Sequence, residues 1–265
     1  MTSTPRFLLA FHALFAVFML APLVMVVLVA FTDKGYIAMP FDGASLRWFR
    51  AILQQNDFVT AFFRSVALAT GAATLAVVLA LPAGMAIAWH RFRGRDVVLG
   101  LLLSPLTVPH VVLGIAILRF LTQIGASSTM TGLVAAHTVV VLPYVLRLVV
   151  AAATGFERDI ALAAQSLGAS GPTVFWRIEL PLILPGVAGG WLIAFINSFD
   201  ELTLSIFVAA PSTQTLPVKL YAYIANTIDP LLASVSTVML VLTLALMLLL
   251  ERFYGLDRVL GGNSR

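Results

Sequence analysis

Six runs of roughly 20 or more apolar residues follow one another along this 265-residue chain, and they leave room for little except a bundle of membrane helices. The runs lie near residues 7–31, 66–89, 97–121, 132–153, 183–210 and 231–250. Composition agrees: 60% of the residues are hydrophobic and only 11% are charged, against about 25% in a soluble domain. In a bilayer each backbone N–H and C=O must be satisfied by the chain itself, which a continuous helix achieves. The expected fold class is therefore an all-α integral membrane protein with six transmembrane helices. Arg6 precedes the first run as in a secretory signal. The apolar core that follows exceeds the roughly 7–15 residues of such a signal, so it is taken as a retained first span.

Lys and Arg in the connections set the orientation. Arg6, Arg91, Arg93, Arg95, Arg158, Arg177, Arg252, Arg258 and Arg265 fall on one side, while Lys34, Arg47, Arg50, Arg64 and Lys219 are diluted over the other. Both termini are thus expected in the cytoplasm of a multi-pass protein. The net charge of +4 comes from few residues, and no basic cluster is interleaved with aromatics, so no nucleic-acid partner is expected. Absence of Cys and wide scatter of the four histidines (His12, His90, His110, His137) argue against a disulfide framework or a metal site. No Walker-type phosphate loop occurs, so ATP hydrolysis is not expected in this chain. Three stretches organise it: 1–57, a first span with an outer interfacial segment; 58–255, a core with a cytoplasmic segment at about 157–175; and a tail, 256–265. Leu46, Trp48, Phe49, Ile52 and Leu53 predict a short helix in the outer interface facing membrane lipid. Asp229-Pro230 predicts an N-cap and first helical position for the sixth span.

Polar residues inside apolar runs carry the chemical signal. Asp200 and Glu201 fall within the fifth run, where an isolated ionised carboxylate costs at least a few kcal/mol. One or both line a wet path and attract a cationic solute, or they cap a helix break or bind an Arg or backbone amides of a partner. Adjacent helical residues point about 100° apart, which argues against both facing one pore and for one in each role. Asn197, Ser198 and Thr203 add hydrogen-bonding groups on neighbouring turns. In the third run Pro105 and Pro109 interrupt the helical ladder around Thr107, with His110 immediately after. His110 either contacts solute or, as a neutral imidazole, donates to a carbonyl that the prolines free. His137 and Pro143-Tyr144 are assigned to packing and a kink. A proton-coupled secondary transporter using Asp200 and Glu201 as carriers is the alternative class.

Between the fourth and fifth runs lies Leu162-Ala-Ala-Gln-Ser-Leu-Gly168-Ala-Ser-Gly-Pro172, continuing to Ile178-Glu-Leu-Pro181. Its pattern predicts a helix from Glu157 to Leu167, a left-handed Gly168, and a second short helix opening at Pro172. An ordinary interfacial loop would also fit this local pattern.

The run Ala163-Ala164-x-x-x-Gly168-Ala169, with Ile178-x-Leu180-Pro181, resembles the coupling motif of permease subunits in type I ATP-binding-cassette importers. Leu162 stands where that family often has Glu. Ser198-Phe-Asp200-Glu201, Phe207-Val-Ala-Ala-Pro211-Ser, Thr215-Leu-Pro217 and Asp229-Pro230 resemble the polyamine (spermidine/putrescine) branch. That branch often has an acidic residue where His110 stands. The resemblance implies a type I importer permease (MetI-like) fold in the bacterial inner membrane. It implies two ATPase subunits holding ATP and Mg, a second, non-identical permease and a periplasmic solute-binding protein. By the same resemblance Glu157, Asp159, Ala163, Ala164, Gln165, Gly168 and Ala169 would couple to the ATPase. Asp200, Glu201, Asn197, Ser198, His110 and Thr107 would lie along the solute pathway.

Overall fold

A computed structural model of the chain describes residues 6–40 and 43–254, and every regular element in them is helical. The tail expected at 256–265 lies outside the described residues. In chain order the helices are α1 (Arg6–Ala30), α2 (Arg47–Gln54), α3 (Asn56–Trp89), α4 (Arg95–Leu103), α5 (His110–Gln123) and α6 (Met130–Thr154). They continue with α7 (Arg158–Ser166), α8 (Gly171–Val174), α9 (Leu180–Phe199), α10 (Thr203–Val208), α11 (Leu216–Ile224) and α12 (Pro230–Tyr254). Five stretches are long and apolar enough to cross a membrane as single helices, and α4 with α5 makes a sixth if that bent pair counts as one span.

The residues gather into two compact units. One draws on the chain up to Thr60 and on Lys219–Leu244; the other draws on Ala61–Val218 and the helix from Ala245. In the first, α1 exposes Phe7, Leu14, Val17 and Phe18, as a lipid-facing helix should. Its C-terminus is held where Ser234 Oγ of α12 donates to the Ala30 carbonyl at 3.2 Å. The short helix expected around residues 46–53 forms as α2: Phe49 packs on Phe31, and Trp48 Nε1 donates to the Lys34 carbonyl. Asp229 Oδ1 accepts the Leu231 amide at 3.0 Å and so caps α12. Tyr223 donates its hydroxyl to Asp229 Oδ2 at 2.8 Å; burial, then that carboxylate, pushes the phenol up to about 12 and keeps it a neutral donor.

The second unit is built on antiparallel packing of α6 against α9. Contact is close because glycines stand on the α9 face. A Cβ on Gly186 would lie 2.5 Å from Ala152 Cβ and 2.9 Å from the Leu148 carbonyl oxygen. One on Gly190 would lie 3.1 Å from Val145 Cα. Apolar membrane helices gain little from hydrophobic exclusion between themselves, so small residues that admit close packing matter more than in water. Leu68, Leu133, Ala136, Val140, Leu204 and Val208 fill the adjoining core.

Three boundaries differ from expectation. The second span begins well before residue 66, because α3 is one 34-residue helix from Asn56. The third run is not straight: α4 and the 3-10 turn Ser104–Leu106 meet α5 at 101°, since prolines at 105 and 109 forbid a continuous ladder. The fifth run, expected at 183–210, instead spans Gly171–Phe199 and breaks at Asp200. Pro181 does not stop it, because a π-helical turn, Phe175–Glu179, precedes the proline and the expected short helix at Pro172 runs on through it. Asp200 and Glu201 therefore sit at a helix end, not past the middle of a span.

Gly186→Leu should disrupt the α6–α9 packing and lower the stability of the detergent-purified subunit by about 1–3 kcal/mol or more, read as a fall in its thermal unfolding midpoint. Gly100→Leu, where a Cβ meets nothing within 4 Å, should leave that midpoint unchanged or raised.

Candidate functional site

Two interruptions of the helical ladder meet in the second unit. The first runs from Ser104 to Pro109. Pro105 has no amide hydrogen for the Leu101 carbonyl, and Ser104 Oγ donates to that oxygen instead at 2.8 Å. Thr107 Oγ1 donates to the Ser104 carbonyl at 2.8 Å. A hydroxyl thus serves the carbonyl that Pro105 frees, and the Thr107 hydroxyl and amide together close the turn on the Ser104 carbonyl. The expectation that a packed His110 would donate to a freed carbonyl is corrected, and the Thr107 hydroxyl is committed to the turn while the residue itself stays exposed.

The second interruption is Asp200–Leu202, between α9 and α10. Glu201 Oε1 accepts the Leu204 amide in the first turn of α10 at 2.7 Å. Its Oε2 lies 3.0 Å from His110 Nδ1, at the start of α5. An ionised carboxylate only accepts, so Nδ1 carries the hydrogen in this pair. The Glu201 side chain is 10% exposed and that of His110 34%. Glu201 therefore caps a helix break and ties it to the other break, as one of the two readings of this residue anticipated. Asp200 differs: it is exposed and makes no side-chain bond among the described residues. Asn197 is half-buried, and its Nδ2 donates to the Ile193 carbonyl of its own helix at 2.8 Å.

Ser198 does not reach a path in this structure. It is buried, with its hydroxyl 2.8 Å from His137 Nδ1, while His137 Nε2 lies 2.9 Å from Ser205 Oγ. A neutral imidazole offers one donor and one acceptor, so one serine accepts and the other donates. His137 of α6 thereby bridges both sides of the 200–202 break. Sequence reasoning assigned it only to packing. The available signal was a histidine in an apolar run, which needs two polar partners, but nothing local named serines 61 and 68 residues away.

On the segment joining α6 to α9, α7 closes in a Schellman turn. Gly168 has φ +92°, its amide donates to the Gln165 carbonyl at 2.9 Å, and the Ala169 amide donates to the Ala164 carbonyl at 3.0 Å. Only Ala161 of α7 is buried. Glu157, Asp159, Ala163 and Gln165 are exposed, Ala164 and Ala169 are half-buried, and Leu167 is 89% exposed. The base of α7 is fixed: Arg158 Nη1 donates to the Trp89 carbonyl at 3.1 Å, with its guanidinium 5.6 Å from the Trp89 ring centre. Trp89 Nε1 in turn donates to the Ala153 carbonyl at 2.9 Å. The ends of α3 and α6 and the start of α7 are therefore one linked cluster.

Residues 80–256 match the family described as binding-protein-dependent transport system inner membrane component. The chain is 32% identical to the spermidine/putrescine transport system permease protein PotC of Haemophilus influenzae, over 92% of this chain and 95% of that one. It is 29% identical to the putrescine transport system permease protein PotI of Escherichia coli K12, over 84% and 82% respectively. It is 35% identical to the molybdenum transport system permease protein ModB of Mycobacterium bovis, over 81% and 88%. Among solved structures, a bacterial ABC transporter involved in import of the acidic polysaccharide alginate matches 96% of this chain and 100% of that one, with a TM-score of 0.75 at 13% identity. The inward-facing MetNI methionine ABC transporter matches 74% and 94%, with a TM-score of 0.63 at 18% identity. At those identities the structures speak for the fold alone, which is the MetI-like permease fold. With its bundle of apolar helices, two facing helix breaks and an exposed turn between spans, this chain belongs to the family of binding-protein-dependent transport system inner membrane components and is a multi-pass permease subunit of the inner membrane.

Proposed function

We propose that the chain forms one half of the path of an ATP-driven importer for a small amine: a polyamine, or a related amine or amino-acid-like compound. Two cytoplasmic ATPase subunits binding ATP and Mg, a second, non-identical permease and a periplasmic solute-binding protein complete the assembly. Both termini of this chain lie in the cytoplasm. The observation that carries this reading is the α7–Gly168 turn, which is anchored at its base and bare on its outer side. A connection needed only to join two spans would require no such rigid closure.

Closure of the ATPases would push on residues 157–175. Arg158 and Trp89 would carry that push to α3 and α6, and the π-helical turn would carry it to α9. Rocking of these helices would then open the path alternately to either side. The relatives named for spermidine and putrescine support an amine as solute, and the open Asp200 carboxylate suits a cation. The molybdenum relative shows that this fold alone does not choose the solute. A proton-coupled carrier is not favoured by the relatives, and Glu201 already spends both oxygens on His110 and the Leu204 amide.

Gly168→Asp forces a side chain onto a left-handed backbone at roughly 1–2 kcal/mol, and Ala164→Trp covers the docking face. In the assembly reconstituted in liposomes, either variant should insert normally yet lose most of the stimulation of ATP hydrolysis by loaded binding protein. Unchanged stimulation would overturn the coupling role. Asp200→Asn should lower amine uptake by about tenfold or more, the scale of one lost charge-assisted contact. Equal uptake at equal expression would leave Asp200 with no part in the path.

A further inference from the structure

The two adjacent acidic residues at the α9–α10 break are chemically unequal. Glu201 has both oxygens engaged, one by the Leu204 amide at 2.7 Å and the other by His110 Nδ1 at 3.0 Å, and its side chain is nearly enclosed. Asp200, next to it, is exposed and makes no side-chain bond among the described residues. A passing ammonium group would thus meet one open carboxylate here, while both oxygens of the neighbouring carboxylate already accept hydrogen bonds.

We propose that His110 sets the charge selectivity of the path, by holding Glu201 against the start of α10 and leaving Asp200 alone to receive a cation. Solutes with a single ammonium group, including zwitterionic amino-acid-like compounds, then pass in preference to di- and tricationic amines. This inference rests on the amine reading above and narrows it. The physical basis is competition for one oxygen. With the Glu201 side chain 10% exposed and His110 standing over Oε2, a second ammonium could reach that oxygen only by pushing the imidazole aside, losing one hydrogen bond to gain another. With the imidazole removed, Oε2 becomes free and a second cationic group acquires a partner about one residue away along the chain. His110 is on this account a specificity-determining residue that acts through Glu201. His137 is not part of the device, since its two nitrogens face Ser198 and Ser205.

The test uses the complete importer, with its ATPases, partner permease and binding protein, in proteoliposomes. Uptake of butylamine, putrescine and spermidine is measured as kcat/KM for wild type, His110→Leu, His110→Asn, and His110→Leu combined with Glu201→Gln. Binding-protein preference is common to all four and cancels when each variant's ratio of putrescine to butylamine is divided by the wild-type ratio. His110→Leu should raise that ratio on the order of tenfold, the scale of one charge-assisted hydrogen bond. His110→Asn, which keeps an N–H near the Nδ1 position, should retain the wild-type ratio. The double variant should return to it, because the freed charge is gone. A purely structural role would slow all three amines alike, and an unchanged ratio in His110→Leu would overturn the proposal while sparing the amine reading. A wild-type importer that moves none of the three amines, nor a zwitterionic probe such as 4-aminobutyrate, would overturn the amine reading and this proposal with it.

Discussion

An interrupted helix leaves amides and carbonyls without their ladder partners, and the second unit of this chain is organised around satisfying them. Ser104 and Thr107 serve carbonyls at the proline break. Glu201 serves an amide at the other break, and His137 clasps the serines on either side of it. The Glu201–His110 contact then joins the two breaks to each other. These polar groups are costly to bury singly, but as a connected set they hold α5 and α10 in a geometry that apolar packing alone would leave underdetermined.

The same unit makes its apolar contacts firm where the polar ones are few. Gly186 and Gly190 bring α9 backbone to backbone with α6, so a displacement of one helix is felt by the other. At the far end of this pair, Trp89 and Arg158 fasten the short α7 to α3 and α6. A rigid pair of helices thus joins an exposed turn between spans to the polar junction at the 200–202 break.

Much of this was legible in the chain itself. Apolar run length fixed the class, because roughly 20 consecutive apolar residues have few other fates. Gly168, Pro172 and Asp229-Pro230 announced their turns and caps because those residues restrict φ or offer a capping oxygen locally. Pro105 and Pro109 announced a break for the same reason. The fifth span was misplaced because Pro181 and Pro185 look like the entry to a span, whereas a π-helical turn, which has no local signature, joins the helix to the segment from Gly171.

What the chain determined by itself is whatever depends on neighbours within one helical turn: hydrophobic run, cap, break and turn. The tertiary structure alone decided which polar groups would meet across 61 to 91 residues of separation, joining His137 to Ser198 and Ser205 and His110 to Glu201. The helical offset between Asp200 and Glu201 argued for different roles, but nothing local said which residue takes which. Only packing, by bringing one histidine and one helix amide to Glu201 and none to Asp200, made the first a structural clasp and left the second exposed and unbonded among the described residues.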